Sequence, residues 1–199
     1  MNRPTANYQL PTAKGWFAVA MGLIAAQALV LRAMGRVWIC TCGYVKLWHG
    51  VVHSSENSQH IADWYSFSHI IHGFIFYWLT TMIGRRLSTG AKLALTIVIE
   101  AGWEVLENSP IVINRYRAVT IALGYEGDSV LNSLSDILMM SLGFLLASRA
   151  RVWVSVAMVV ALEVGCLIWV RDNLTLNIIM LVHPIEAIKA WQMSGAPTP

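Results

Sequence analysis

Charged residues are scarce in this chain of 199 residues. Only 13% of them are Asp, Glu, Lys or Arg, whereas 56% are hydrophobic, and the mean hydropathy is +0.56. Because about a quarter of the residues in a soluble domain are charged, this composition excludes the ordinary soluble class and predicts an integral membrane protein. The net charge of +3 comes from bases that flank the apolar runs, so no nucleic-acid partner is expected.

The chain also lacks the short motifs of well-known catalytic sites. It contains no Walker loop, Gly-rich dinucleotide turn, His-Glu-x-x-His helix, Gly-x-Ser-x-Gly elbow or Cys-x-x-Cys pair. The inverted repeats and paired broken helices of secondary transporters are absent as well. These absences narrow the function without deciding it.

Long apolar runs are what the sequence does contain, and they predict an all-α, multi-pass transmembrane bundle. Most runs approach the length of about 20 residues that a spanning helix needs. The predicted spans are Trp16–Leu31, Phe67–Ile83, Ala91–Leu106, Val130–Ala147 and Val152–Val170. A sixth stretch, 174–193, is interrupted by polar residues and Pro184, which favours an interfacial helix over a sixth span. No linker or repeat divides residues 1–199, so a single membrane domain is expected.

Basic residues near the helix ends set the expected orientation. The two shortest connections contain Arg85 with Arg86, and Arg149 with Arg151. Under the positive-inside rule these connections lie in the cytoplasm, which also places the N-terminus there. The segment 33–65, the segment 108–128 and the tail after Arg171 would then lie on the outer side of the membrane.

Rows of polar side chains occur in three of the predicted spans, all at the ends that share one leaflet. Neighbouring spans run in opposite directions, so the starts of spans two and four meet the end of span three. Charged groups in hydrocarbon cost several kcal/mol unless they face a bundle interior or a cavity. The rows therefore predict one buried site, made of His69 and His72, of Glu100, Glu104 and Glu107, and of Asp128, Asn132 and Asp136.

Spacing within each row supports a common inward face. Glu100, Glu104 and Glu107 follow i, i+4 and i+7, which is one stripe of a helix. Adjacent carboxylates repel unless a proton, a cation or an arginine intervenes. Arg115 and Arg117 are candidate neutralising residues, and a metal ion is the alternative.

Histidine together with carboxylates forms the ligand set of zinc, non-haem iron and manganese sites. We predict one divalent, zinc-like transition metal with His69, His72 and Asp128 as first-choice ligands. Glu104 or Glu107 is the candidate general base or acid, and Asp136 is a further catalytic candidate. The residues expected around them, in contact with the ligands or the substrate, are His60, Asp63, Glu100, Asn132, Arg115 and Arg117.

The segment before span two is rich in polar and aromatic groups, which is unusual for a simple connector. His60 and Asp63 lie just upstream of His69 and are expected to cover the site. Cys40 and Cys42 have three interpretations: a small-ring disulfide, a partial metal site, or reaction with an external partner. Cys166 is expected to be a buried apolar filler.

Four motifs resemble a known bacterial family. They are Glu56-Asn-Ser-Gln-His60-Ile-Ala-Asp63, Ser68-His69-Ile-Ile-His72-Gly73, Glu100-Ala-Gly-Trp-Glu104-Val-Leu-Glu107-Asn108 and Gly127-Asp128-Ser-Val-Leu-Asn132-Ser-Leu-Ser-Asp136. The chain is similar over nearly its whole length to uncharacterised protein family 0314, also described as domain of unknown function 2585. This resemblance implies a multi-pass protein of the bacterial cell membrane and no particular activity. A more distant similarity to VanZ-like membrane proteins, which are linked to glycopeptide resistance, implies a cell-envelope role by analogy.

The leading functional hypothesis is a metal-dependent membrane enzyme, a hydrolase or transferase, that acts on a lipid or lipid-linked envelope substrate. A proton- or cation-coupled transporter using the same side chains is the competing class, and a non-catalytic binding protein or scaffold is the third. The inner halves of spans two and three, 74–79 and 93–99, carry no charge. A polar site confined to one leaflet favours an enzyme or binding protein over a conduit.

Overall fold

The computed structural model of the chain describes residues 11–121 and 124–194, and every regular element within them is a helix. The eight described helices are α1 (Ala13–Ala33), α2 (Ser66–Ile83), α3 (Thr89–Glu107), α4 (Pro110–Val119), α5 (Val130–Arg149), α6 (Val152–Val170), α7 (Leu174–Val182) and α8 (Glu186–Met193). The predicted all-α fold is confirmed, and each of the five apolar runs forms one helix.

Capping residues explain where several of these helices begin. The side-chain oxygens of Thr12, Ser88 and Ser129 accept backbone N–H groups of the first turns of α1, α3 and α5. Each cap satisfies a donor that has no partner within the helix. Short polar residues just before an apolar run therefore fix the residue at which each helix begins.

Three helices, α1, α5 and α6, are long and apolar enough to cross a membrane. Helices α2 and α3 have 18 and 19 residues, but they carry the histidines and glutamates of the polar rows. Helix α6 is apolar apart from Ser155 and Glu163, and Cys166 is its one buried residue. Such a helix needs lipid around it. The membrane character is established by these helices, and the count of five spans stays a prediction.

Helices α2 and α5 pack closely through two glycines. A Cβ atom on Gly73 would lie 2.1 Å from the carbonyl oxygen of Met140, and one on Gly143 would lie 2.0 Å from the carbonyl oxygen of Ile70. Small residues allow helix backbones to approach in this way within membranes. Met140 also belongs to a buried core, in which Ile97 of α3 packs with Ile137, Met140 and Phe144 of α5.

Two elements differ from the expected segments. The segment 108–128, expected to be a connection, contains α4, which begins where Ser109 caps the helix and Pro110 occupies its first turn. The apolar tail is divided into α7 and α8 around His183 and Pro184. These two helices have 9 and 8 residues, fewer than the ~20 that a span requires.

Candidate functional site

His69 is the centre of the polar cluster, because carboxylates from two other helices surround its ring. Its Nδ1 atom lies 2.6 Å from Glu100 Oε1 and 3.6 Å from Glu104 Oε1, and its Nε2 atom lies 3.8 Å from Asp136 Oδ2. All four residues are buried. The structure thus brings together the start of α2, the end of α3 and the start of α5.

Two sets of side chains have the spacing of metal ligands, and they share His69. One set is His69, His72 and Glu100, and the other is His69, Glu104 and Asp136. In the first set, Glu100 Oε1 already accepts hydrogen bonds from His69 at 2.6 Å and from His72 at 3.1 Å. This carboxylate is therefore satisfied by the imidazoles without a metal.

Glu104 differs from Glu100, because both of its carboxylate oxygens are buried and neither has a hydrogen-bond partner. An ionised carboxylate removed from water is strongly unfavourable unless it is paired or coordinates a metal. The 3.8 Å between His69 Nε2 and Asp136 Oδ2 is too long for a hydrogen bond. It suits two ligands that each bind one ion at about 2.0–2.2 Å. The second set therefore fits a metal better than the first.

Asp128 lies outside both sets, although it was a first-choice ligand. Its Oδ1 atom accepts a hydrogen bond of 2.8 Å from the Tyr125 hydroxyl, and its Oδ2 atom accepts one of 2.8 Å from Asn108 Nδ2. Burial raises the pKa of Asp128, and these hydrogen bonds oppose that increase. Glu107 likewise has a tyrosine partner, Tyr116. Both carboxylates face the same cavity as His69.

The segment 33–65 lies over the start of α5 and is held there by hydrogen bonds. Asn132 Nδ2 donates to the carbonyl oxygen of His60, and Ser129 Oγ donates to that of Gln59. Gln59 Nε2 in turn donates to the carbonyl oxygen of Gly127. Asn132 thus anchors this segment to α5, and the contacts described for it are not with the carboxylate cluster.

His60 and Asp63 have structural partners within this segment. His60 Nε2 is 3.0 Å from Glu56 Oε2, and Lys46 Nζ is 2.5 Å from the same oxygen. Hydrogen bonds from Lys46, His60 and Tyr44 lower the pKa of Glu56 to about 2. Asp63 accepts backbone N–H groups of Ser58 and Tyr65.

The backbone N–H of Asp63 also links it to the cluster through one hydroxyl. It donates to Ser66 Oγ, and that hydroxyl donates to Asp136 Oδ1 at 3.2 Å. Asp63 and Ser66 therefore orient the Asp136 carboxylate from the side of the covering segment.

The two arginines expected near the cluster bind elsewhere. Arg115 Nε donates to the carbonyl oxygen of Leu181, and Arg117 Nε donates to that of Tyr125. The acidic partner described for Arg117 is Glu126, at 3.9 Å. The arginine neutralisation considered from the sequence is thus not the arrangement found, and these side chains tie α7 and the 125–126 turn to α4.

Cys40 and Cys42 form a disulfide, which is the first of the three interpretations. Cys166 is a buried free thiol, as expected for an apolar filler. Histidines 49 and 60 with Glu56 also have metal-like spacing. Because Glu56 is already paired with Lys46, this second cluster needs no ion for its charge balance.

A cavity of about 390 Å³ connects the cluster to its surroundings. Its polar wall includes His69, His72, Glu100 and Asp136, and its apolar wall includes Phe76, Ile99, Ile178 and Leu181. A pocket that is mostly apolar with a few convergent polar groups is typical of a small-molecule site.

A known protein family matches most of the chain, including all the residues of the cavity. Residues 31–194 match the family described as "Protein of unknown function (DUF2585)". The chain belongs to the DUF2585 family.

Members of this family from several bacteria are similar to the chain over most of their length. A UPF0314 protein of Rhizobium meliloti is 56% identical over 177 residues, covering 89% of this chain and 90% of the relative. A UPF0314 protein of Sphingopyxis alaskensis is 57% identical over 181 residues, covering 91% and 96%. One from Rhizobium etli is 52% identical over 192 residues, covering 96% and 98%. No solved structure matches the chain significantly.

Several residues of this DUF2585 site were not predicted as functional. Tyr116 and Tyr125 hold Glu107 and Asp128, and Asn108 binds Asp128 from the end of α3. Leu174 and Ile178 of α7 close the apolar wall. Asn108 directly follows the polar row that ends at Glu107, which is a sequence signal, whereas nothing in the spacing of the tyrosines predicts their partners.

Proposed function

We propose that the protein is a metal-dependent membrane enzyme, a hydrolase or transferase, acting on a lipid or lipid-linked envelope substrate. One divalent, zinc-like ion would be held by His69, Glu104 and Asp136. The observation that carries this proposal is the buried, unpartnered carboxylate of Glu104 in a group with metal-ligand spacing. A cation at this point would balance the charge of two buried carboxylates, of which Asp136 accepts one hydrogen bond from Ser66 and Glu104 accepts none.

The surroundings of His69 also suit a ligand histidine. A metal-binding imidazole usually gives its second nitrogen to a carboxylate, which fixes the ring. Glu100 is placed for this role, since it binds His69 Nδ1 at 2.6 Å and leaves Nε2 facing Asp136. Glu100 is therefore a positioning residue in the proposal.

The chemistry would combine a Lewis acid with a nearby carboxylate. The bound ion would supply an acidified water and polarise a substrate carbonyl oxygen. Glu107 lines the cavity and is held by Tyr116, so it can take or return a proton at the substrate. The histidines and carboxylates of α2, α3 and α5 are confined to one end of these helices, which supports an enzyme over a transmembrane conduit.

Elemental analysis of the purified full-length protein tests the metal site. We expect about one divalent transition metal per chain in the wild type. The affinity of Glu104→Gln for that metal should be at least about tenfold lower, because the variant replaces an anionic ligand with an amide. Glu126→Gln is the matched control, since the Glu126 side chain is 84% exposed, and it should bind metal as the wild type does.

The catalytic part of the proposal is tested with the same variants. In a bacterium whose family member has been deleted, Glu104→Gln should fail to restore function at normal protein levels, while Glu126→Gln restores it. A wild-type protein without metal, or a Glu104→Gln variant with full metal and full function, would overturn the proposal.

We also infer that the N-terminus is cytoplasmic and that segment 33–65 lies outside the inner membrane. The bases in the two shortest connections support this orientation. A disulfide between Cys40 and Cys42 supports it independently, because disulfides persist in oxidising compartments outside the cytoplasm.

Thiol labelling gives a direct check of this orientation. After mild reduction of intact spheroplasts, a membrane-impermeant maleimide should label Cys42, which is partly exposed, whereas the buried Cys40 and Cys166 should stay largely unlabelled. A Cys40→Ser/Cys42→Ser variant serves as the background control. Labelling that appears only after permeabilisation would mean that the protein has the opposite orientation.

A further inference from the structure

The cavity beside His69 has a polar end and an apolar end, which lie at different positions along α2. Ile75 follows His69 by six residues on α2, which places it about 9 Å further along the helix at 1.5 Å per residue. Ile75, Ile99 and Ile178 all line the cavity and remain 39%, 45% and 52% exposed. In helices surrounded by lipid these side chains contact acyl chains, so the apolar end opens sideways toward the membrane core.

The polar end carries an excess of negative charge. Four carboxylates line it, those of Glu100, Glu107, Asp128 and Asp136, and no lysine or arginine is among the described residues of the lining. The nearby Arg36 and Arg117 donate instead to the backbone carbonyls of Glu126 and Tyr125.

This charge pattern is unsuited to a phosphate. A divalent ion bound by Glu104 and Asp136 balances those two carboxylates and no others. Phosphate recognition in proteins relies on arginine, lysine or backbone N–H groups, and a phosphate placed here would share the cavity with the carboxylates of Glu107 and Asp128. Like charges in a buried site repel strongly because the local dielectric is low.

Asn57 adds an independent observation. This residue is 8% exposed and lines the cavity, and its Oδ1 atom is buried without a hydrogen-bond partner. A buried acceptor without a partner is costly, and only a group that carries a hydrogen-bond donor satisfies it. A hydroxyl or an amine supplies such a donor, whereas an ionised phosphodiester supplies acceptors alone.

We infer that the cavity takes a membrane lipid whose head group carries hydroxyl or amino hydrogen-bond donors and no phosphate. The lipid chain lies against Phe76, Ile99 and Ile178, and the head group donates to Asn57 and to the free lone pairs of Glu107 and Asp128. This assignment rests on the proposed function for the metal at His69, and it names the substrate class of that site.

Two lipids that differ only in a phosphate provide the test. The metal-loaded full-length protein is placed in phosphatidylcholine nanodiscs containing diacylglycerol or phosphatidic acid, both with the same photoreactive acyl chain. We expect diacylglycerol to be captured with at least about tenfold preference, equivalent to about 1.4 kcal/mol. The cross-links should map to α2, α3 and α7. Equal capture, preference for phosphatidic acid, or cross-links confined to α6 would overturn the inference.

A variant separates the head-group inference from the metal proposal. Asn57→Leu removes the unpartnered acceptor at similar volume, so its diacylglycerol preference should fall at least about threefold, as expected for one neutral hydrogen bond. Its metal content should stay at the wild-type level. Normal metal with no lipid preference in the wild type refutes the head-group inference alone. Lipid preference without any metal refutes the metal-dependent function alone.

Discussion

Gly143→Ala should destabilise the protein by about 1–3 kcal/mol, the usual cost of overpacking a close contact, and Gly73→Ala should do the same. The added Cβ atom at either position would lie 2.0–2.1 Å from a carbonyl oxygen of the facing helix, where at least 3.0 Å is needed. Because the obstacle is backbone, α2 and α5 must move apart. Chemical unfolding in mixed micelles measures the loss.

A glycine on another helix provides the control for this experiment. Gly102 on α3 has nothing within 4 Å of its ideal Cβ position, so Gly102→Ala should be neutral or stabilising by up to about 1 kcal/mol through helix propensity. Gly143→Ala with wild-type stability would show that the two helices do not approach as described. Movement of α2 also displaces His69, so metal content should fall together with stability.

His69→Leu should cost about 3–5 kcal/mol, the range for removing one partner of a buried charged group. The substitution leaves Glu100, Glu104 and Asp136 around an apolar side chain, although all three remain buried. Adding Glu104→Leu to this variant should recover part of the loss, because Glu104 has no hydrogen-bond partner, whereas Glu100 keeps the one from His72.

An exposed histidine distinguishes this effect from the general effect of the substitution. His53 is exposed in the covering segment, and His53→Leu should change stability by no more than about 0.5 kcal/mol. If His69→Leu unfolds at the same denaturant concentration as the wild type, the imidazole does not hold the carboxylates together. The proposed metal site would then lose its central ligand.

The packing of α2 against α5 and the geometry of the polar cluster depend on each other. His69 and Gly73 lie one turn apart on α2, so the contact that packs α2 against α5 also places His69 beside Asp136. Precise placement of ligands requires rigid supporting elements. Variants at the helix contact and at the site are therefore expected to be coupled in their effects on metal binding.

The spacing of polar side chains was sufficient to predict which helices contribute to the site. Glu100, Glu104 and Glu107 occupy one helical stripe, and the alternating direction of the spans brings that stripe to the starts of α2 and α5. Both facts depend only on helix geometry and on the order of apolar runs. For that reason the convergence of His69 with Glu104 was predictable, while the roles assigned to these residues stay predictions.

Pairings within the cluster were not predictable in the same way. Asp128 and Asp136 are eight residues apart, the spacing of one helical face, yet Asp128 binds Tyr125 and Asn108 whereas Asp136 lies beside His69. Asp128 precedes Ser129, the residue that caps α5, so it lies outside the helix and does not follow its stripe. Where a helix begins in the fold, and which partners the residue before it meets, cannot be read from i and i+4 spacing.

What the sequence determined by itself is the apolar character of the chain, the helical fold and the helix ends at which the polar rows meet. These follow from hydropathy and from the periodicity of single segments, which are local properties. Only the tertiary structure decided which carboxylate stays unpartnered, where Arg115 and Arg117 bind, and that α7 closes a cavity beside His69. Those features depend on distances between residues far apart in the chain, and such distances are fixed by the close packing of helices rather than by the pattern of any one of them.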